Sequence, residues 1–390
     1  MTAGTRASAF GLHGFPVRPS STASVAGKAL AVITLVFVSF GLLSVYSASS
    51  FVAQSEGFQD SHYLFQQASR AGIGLLVMLA ASQVDYRLYR KLAWPILGMA
   101  VLLLIPLLLP WTESIAPKVN GARRWLDLGV TVQPSELAKI AVVIWTAAIA
   151  VKKQDQLHDV REGLLPIGLV VGVVCLLVLF EPHFSAALWI AVLAGAVLFS
   201  AGARLTHFAI VVLAMVPVGV VAALSSAYRR ERVRAYLATF FDPSSVAATS
   251  GYQLRQSMIA IGSGGVTGVG FGQSSLKMSY LPEPQNDFIF SIIAEEWGFL
   301  GAAALISLFV AWTLVGLRIA RGAPDVHGRL LAIGITCLVA LSAFAHMGVA
   351  LGLLPTTGVN LPFISAGGTN LVLMLGATGI LLNVSTAWKR

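Results

Sequence analysis

"YLPEPQNDFIFSIIAEEWGFLGAAALISLFVAWTLVGL", residues 280–317, decides the fold class. Two prolines, two acids and two amides lead straight into an apolar run, 288–317, broken by charge only at Glu295 and Glu296. At about 1.5 Å per residue, that run is long enough as helix to cross a hydrocarbon core of about 30 Å. The pattern recurs along the chain: 28–49, 68–83, 92–110, 133–151, 163–180, 184–201, 206–225, 329–353 and 369–387 are further apolar runs. Together they predict an all-α polytopic membrane protein of about ten transmembrane helices. The longest connection, 226–287, falls between spans 7 and 8. Continuous rather than alternating runs disfavour a transmembrane barrel.

Composition agrees. Of 390 residues, 56% are hydrophobic and 11% charged, and the mean hydropathy is +0.80, outside the balance of a soluble domain. Residues 1–27 are polar and carry Arg6 and Arg18 without an acid or a convincing cleavage pattern, so they read as a disordered cytoplasmic tail preceding a membrane domain over 28–390. Cys175 and Cys337 lie apart in apolar runs and suggest neither a disulfide framework nor a metal cluster. The net charge of +9 is assigned to membrane topology and anionic lipid rather than to nucleic acid.

Lys and Arg set the orientation. The tail, "DYRLYRK", "KKQDQLHDVREG", "GARLTH", "RIARGAPDVHGR" and "WKR" are basic, whereas "SSFVAQSEGFQDSHY", "EPHF" and "LPTTGVNLPFISAGG" carry no Lys or Arg. Both termini therefore belong inside. Two outer connections are basic nonetheless: 112–131, and 226–287 with Arg229, Arg230, Arg232, Arg234, Arg255 and Lys277. Long loops translocate regardless of charge, so these cations stand outside and need an anion to meet.

Within 226–287, "AYRRERVRAYLATFFDP" predicts an interfacial amphipathic helix. "GYQLRQSMIAIGSGGVTGVGFGQSSLK" follows, with glycines that permit irregular backbone dipping into the membrane to wall a site. Pro282 and Pro284 prevent helix around Glu283. Asp287 is then either the cap of a helix starting at Phe288 or a general base at the outer surface. Glu295 and Glu296, about 12 Å further along that helix, are too far for a carboxylate pair with Asp287 and are assigned to pairing within the bundle or to site polarity.

"NGARRWLDLGVTVQPSELAK", 120–139, offers Arg123, Arg124 and Trp125 as helix anchors or as a phosphate clamp with an aromatic face. Glu136 and Lys139, at i and i+3, read as a structural ion pair or as site residues. "LPTTGVNLPFISAGGTN", 354–370, lacks charge and supplies backbone and hydroxyl groups, Ser365 among them. The glycines over 262–272 do not match a phosphate-binding loop.

"NGARRW", "QPSELAK", "RVRAYLATFFDP", "GYQLRQSMIAIGSGGVTGVGFG", "LPEPQNDFIF" and "GLLPTTGVNLPFISAGG" resemble, in order and spacing, the motifs of the SEDS family of polytopic glycosyltransferases, with the division type nearest. The resemblance implies polymerisation of lipid II outside the bacterial cytoplasmic membrane, with Asp287 as the essential aspartate. Arg123, Arg124, Trp125, Glu136, Lys139, Arg230, Lys277, Glu283 and Ser365 become the implied substrate contacts. It also implies a class B penicillin-binding protein and other divisome membrane proteins as partners, and no evident cofactor. A divalent cation has no acidic cage in the sequence to hold it. His183, Ala366 and Trp297 depart from the family pattern, where an acid, an aromatic and a leucine are usual. A lipid-precursor flippase and a non-catalytic scaffold are the alternatives.

Overall fold

The computed structural model describes residues 22–118, 122–127, 129–209, 213, 230, 234, 236–237, 250–275, 277 and 284–386. Among them, eight helices are long and apolar enough to cross a membrane, and the shorter apolar helix Phe184–Ser200 accompanies them. The chain is a multi-pass helical membrane protein. The expected span 206–225 and the amphipathic segment after it lie almost wholly outside the described residues, as does Glu283.

The first half runs α1 (Thr22–Ser55), α2 (His62–Gln83), α3 (Tyr86–Leu108), α4 (Pro134–Lys152), α5 (Leu165–Phe180) and α6 (Phe184–Ser200). Helix α1 begins earlier than the polar composition of 1–27 suggests. A two-residue hairpin, β1 (Leu126–Asp127) with β2 (Thr131–Val132), precedes α4. The second half holds α7 (Ser250–Ser263), the single turn α8 (Pro284–Asp287), α9 (Ile289–Arg321), α10 (Val326–Ala350) and α11 (Gly368–Thr386).

Helices α4 and α10 form the interior, buried along most of their length. Trp145, Trp312 and Phe37 fill the space around them, and Phe37 stacks on Phe309 at 4.1 Å and on Phe363 at 5.9 Å. Small residues set the closest approach, as expected where helix packing replaces a hydrophobic drive. A Cβ on Gly379 of α11 would lie 2.3 Å from the Met78 carbonyl of α2. At the bundle end remote from Asp287, Asp325 caps α10 by accepting from Gly328 N–H at 2.7 Å and from the Tyr86 hydroxyl at 2.6 Å.

Helix α9 is broken. Gly298 takes φ 63°, ψ −164°, a region only glycine occupies readily. Breaking a helix in lipid strands backbone groups that cost several kcal/mol each unless partnered. Here the glycine-rich loop after α7 supplies the partners: Val269 N–H donates to Glu295 O at 3.0 Å and Gly270 N–H to Glu296 O at 3.1 Å. In return, Phe299 and Leu300 N–H donate to Gly265 and Val266 O at 2.9 and 3.1 Å. The loop that the sequence sends back toward the membrane is thus the partner of a broken helix. Gly298→Ala meets both the φ penalty and a Cβ 2.3 Å from Gly268 N. It is expected to cost about 2–4 kcal/mol, read as a lower detergent-solution melting temperature; a shift under about 1 °C would show that the break relaxes freely.

Candidate active site

Helix α8 begins at Pro284, where the missing N–H costs nothing, and ends at Asp287. The cap position of α9 is Phe288, whose side chain makes no cap bond. The expected role of Asp287 as cap is therefore corrected: α9 starts at Ile289, one residue later than the pattern suggests, and Asp287 closes the preceding turn. Its half-buried carboxylate is turned to Gly358, where a Cβ would lie 4.0 Å from both Oδ1 and Oδ2.

The charge-free loop between α10 and α11 holds that turn. Ser365 Oγ donates to Asn286 O at 2.9 Å and accepts from Leu361 N–H at 2.8 Å. Ala366 N–H donates to Gln285 O at 3.1 Å, and Gln67 of α2 donates to Ser365 O at 3.1 Å. Ser365 is buried, so the structure gives it a clamp on the Asp287 turn where a substrate contact was expected.

The 120–139 stretch joins the same loop. Thr369 Oγ1 accepts from Gln133 N–H and donates to Thr131 O, both at 3.1 Å. One residue on, Asn370 Nδ2 donates to Glu136 at 2.7 Å. Lys139 Nζ lies 2.7 Å from Glu136, and both side chains are nearly inaccessible. Arg123 donates to Leu109 O at 2.7 Å, where a cation suits the carbonyl end of α3, and lies 3.4 Å from Glu113. Arg124 donates to Pro182 O at 3.0 Å, reaching the turn between α5 and α6. Three distant stretches thereby meet at one end of the bundle: Asp287, the 354–370 loop and the Glu136–Lys139 pair.

The family model described as "Cell cycle protein", for FtsW, RodA and SpoVE, matches residues 28–390. The chain belongs to the FtsW/RodA/SpoVE family. A probable peptidoglycan glycosyltransferase FtsW of Trichlorobacter lovleyi is 39% identical over 361 residues, 92% of this chain and 93% of that one. Stage V sporulation protein E of Bacillus subtilis is 38% identical over 358 residues, 91% of this chain and 96% of that one. Among solved structures, a chain of a peptidoglycan synthase complex coordinating polymerization and crosslinking superposes with TM-score 0.74 at 28% identity, covering 91% of this chain and 96% of that one. Thermus thermophilus rod shape determining protein RodA gives TM-score 0.66 at 26% identity, with 93% and 97% covered.

One expected site residue of this FtsW/RodA/SpoVE chain is committed elsewhere. Lys277, only 6% exposed, donates to Gly272 O at 2.5 Å and lies 3.7 Å from Glu296. It neutralises a buried acid beside the α9 break. Glu296 also accepts from Ser47 at 2.5 Å, and Glu295 from Ser274 and from Ser275 N–H and Oγ at 3.1 and 2.8 Å. These two acids are partnered within the bundle, as expected. Arg230 is exposed and Trp125 half-buried. Among the described residues, no cluster of three or more His, Cys, Asp or Glu is placed to hold a metal ion.

Sequence reasoning undervalued the α5–α6 turn. Glu181 is 1% exposed, and neither carboxylate oxygen has a hydrogen-bond partner among the described residues. His183 Nδ1 lies 3.3 Å from Ser135 Oγ, one residue before Glu136. The available signal was an acid and an imidazole in a three-residue connection between apolar runs. Burial pushes the Glu181 carboxyl up to about 8, against the pull of Arg124. Burial, reinforced by Arg124, pushes His183 down to about 4.

Between the ordinary carboxylate range and about 8, folded Glu181 keeps a proton that the unfolded chain has released. Its contribution to stability therefore falls as pH rises through that window. His183 acts oppositely: from about 4 up to the ordinary imidazole value the unfolded chain binds the proton, so stability rises with pH there. Glu181→Gln is accordingly expected to raise the melting temperature by roughly 3–6 °C at pH 8.5 and by under about 1 °C at pH 5. Equal shifts at both pH values would mean that the carboxyl is not held protonated.

Proposed function

We infer that this chain is a peptidoglycan glycosyltransferase that polymerises lipid II at the outer face of the bacterial cytoplasmic membrane, in septal wall synthesis. Asp287 is the general base. Its carboxylate takes the proton of the acceptor GlcNAc 4-hydroxyl as that oxygen bonds to C1 of the donor MurNAc. The bond from C1 to the pyrophosphate oxygen breaks, undecaprenyl pyrophosphate leaves with the electron pair, and the anomeric centre inverts.

The observation that carries this reading is the placement of Asp287: a carboxylate one residue before the cap position of α9, on a clamped turn, turned to a residue without a side chain. A carboxylate on a clamped turn, facing a glycine backbone, fits proton abstraction better than it fits helix termination. Since Lys277 is buried against Glu296, charge for the leaving group falls to Arg124, Arg230 and Arg123, the last shared with Glu113; guanidinium groups hold phosphate oxygens in pairs. Glu136 and Lys139 keep the neighbouring wall polar, and Trp125 offers an aromatic face to a sugar.

A septal role fits relatives that carry the name FtsW, and lipid II fits an enzyme named as a peptidoglycan glycosyltransferase. A class B penicillin-binding protein as partner follows the likeness to a complex that both polymerises and crosslinks. Cytoplasmic termini follow the charge asymmetry of the connections. The test is purified protein with a class B partner and lipid II in proteoliposomes, read for glycan chains and for lipid II crossing the bilayer. Chains are expected. Crossing without chains would replace the enzyme by a flippase, and neither product would favour a scaffold.

A further inference from the structure

His346 lies in α10, 1% exposed, in the interior facing the 354–370 loop. Its Nδ1 is 2.7 Å from the carbonyl of Val359. A carbonyl only accepts, so Nδ1 carries the proton, and Nε2 is buried with no hydrogen-bond partner among the described residues. A position needed only for packing would not strand a ring nitrogen, because a desolvated polar atom without a partner costs stability. What the imidazole provides here is a directional donor to one backbone carbonyl.

That carbonyl follows immediately on Gly358, the residue to which the Asp287 carboxylate is turned. The segment around it is neither helix nor strand. Its flanks are tied down: Leu354 N–H donates to Gly348 O at 3.2 Å and Leu361 N–H to Ser365 Oγ at 2.8 Å. The His346 bond tethers the middle of the segment to the helix beneath it. Ser365 fixes the turn that carries the base, and His346 fixes the wall that the base faces.

We propose that His346 is a positioning residue for glycan polymerisation, setting the Gly358–Val359 backbone at the distance from Asp287 that leaves room for the acceptor hydroxyl. The inference rests on the reading of Asp287 as the base. A displacement of about 1 Å in such a wall costs up to about 100-fold in rate.

The experiment compares kcat and KM for lipid II polymerisation, with the class B partner present, in wild type, Asp287→Asn and three variants at 346. His346→Phe keeps the ring volume and loses the donor. His346→Asn keeps the donor in place, because its amide nitrogen hangs from Cγ as Nδ1 does, and His346→Gln carries it one methylene further out. Expected are a fall in kcat of about 10–100-fold in His346→Phe and His346→Gln with KM within about two-fold of wild type, and near-wild-type kcat in His346→Asn. If His346→Phe does not fold, the Gln and Asn variants carry the comparison alone. Wild-type kcat in His346→Gln, or His346→Asn no better than the other two, overturns the positioning role while an inactive Asp287→Asn leaves the base in place. Full polymerisation by Asp287→Asn overturns both.

Discussion

Asp287→Asn is expected to lower the rate of glycan polymerisation from purified lipid II by roughly 10²–10⁴-fold, the usual contribution of a positioned base, while changing the melting temperature little. The fold gives a reason for this separation of activity from stability. Phe288, not Asp287, stands at the cap position of α9, and the turn that carries Asp287 is held by backbone groups of Gln285 and Asn286 bonded to Ala366 and Ser365. An amide of the same shape leaves those bonds in place. It removes the negative charge and with it the capacity to take up a proton. The pH–rate profile sharpens the test: if Asp287 is the base, the acid-side limb seen in the wild type is expected to be absent from the variant's residual activity. Loss of activity accompanied by a fall of more than about 5 °C in melting temperature would point instead to a structural carboxylate.

The helices were legible because each apolar run approaches the length a bilayer demands, and the observed α2, α4, α9, α10 and α11 contain or closely match the expected runs. Periodicity could not say which helices lie inside. Helices α4 and α10 are buried on nearly all sides although their hydropathy is no greater than that of the lipid-facing α5, because lipid and protein interior are equally apolar surroundings. The break in α9 was only half visible. Glycines over 262–272 announced irregular backbone, but their partner is Gly298, one glycine in a helical pattern, and the pairing is set by backbone hydrogen bonds that no side-chain pattern records.

The candidate site was legible as separate stretches. Their meeting depends on short polar side chains, Ser365, Thr369 and Asn370, whose sequence context predicts only an ordered loop. Lys277 misled for the opposite reason. Charge alone placed it among cations awaiting phosphate, whereas its position beside the α9 break gives it to Glu296. His346 could not be weighed from sequence, and Glu181 only as an acid in a short connection between apolar runs, since what marks both is burial of a polar atom without a partner among the described residues.

Lys139→Met is the second large effect. Lys139 and Glu136 lie 2.7 Å apart, each almost fully enclosed, so deleting the cation leaves Glu136 with Asn370 alone. Removing one partner of a buried pair costs about 3–5 kcal/mol, whereas replacing both by neutral groups of similar size is often near neutral. Lys139→Met is thus expected to be strongly destabilised, and Glu136→Gln combined with Lys139→Met to recover most of that loss, with the Gln amide still able to bond Asn370. Stability by itself does not tell a structural pair from one that serves the substrate, because both readings predict the same recovery. Activity separates them. If the pair polarises the wall shared with the 354–370 loop, the double variant regains its melting temperature and remains at least about 10-fold down in kcat/KM. A double variant that recovers stability and polymerisation together would reduce Glu136 and Lys139 to a strut between α4 and α11. The proposed chemistry would then fall to Asp287 and the arginines alone.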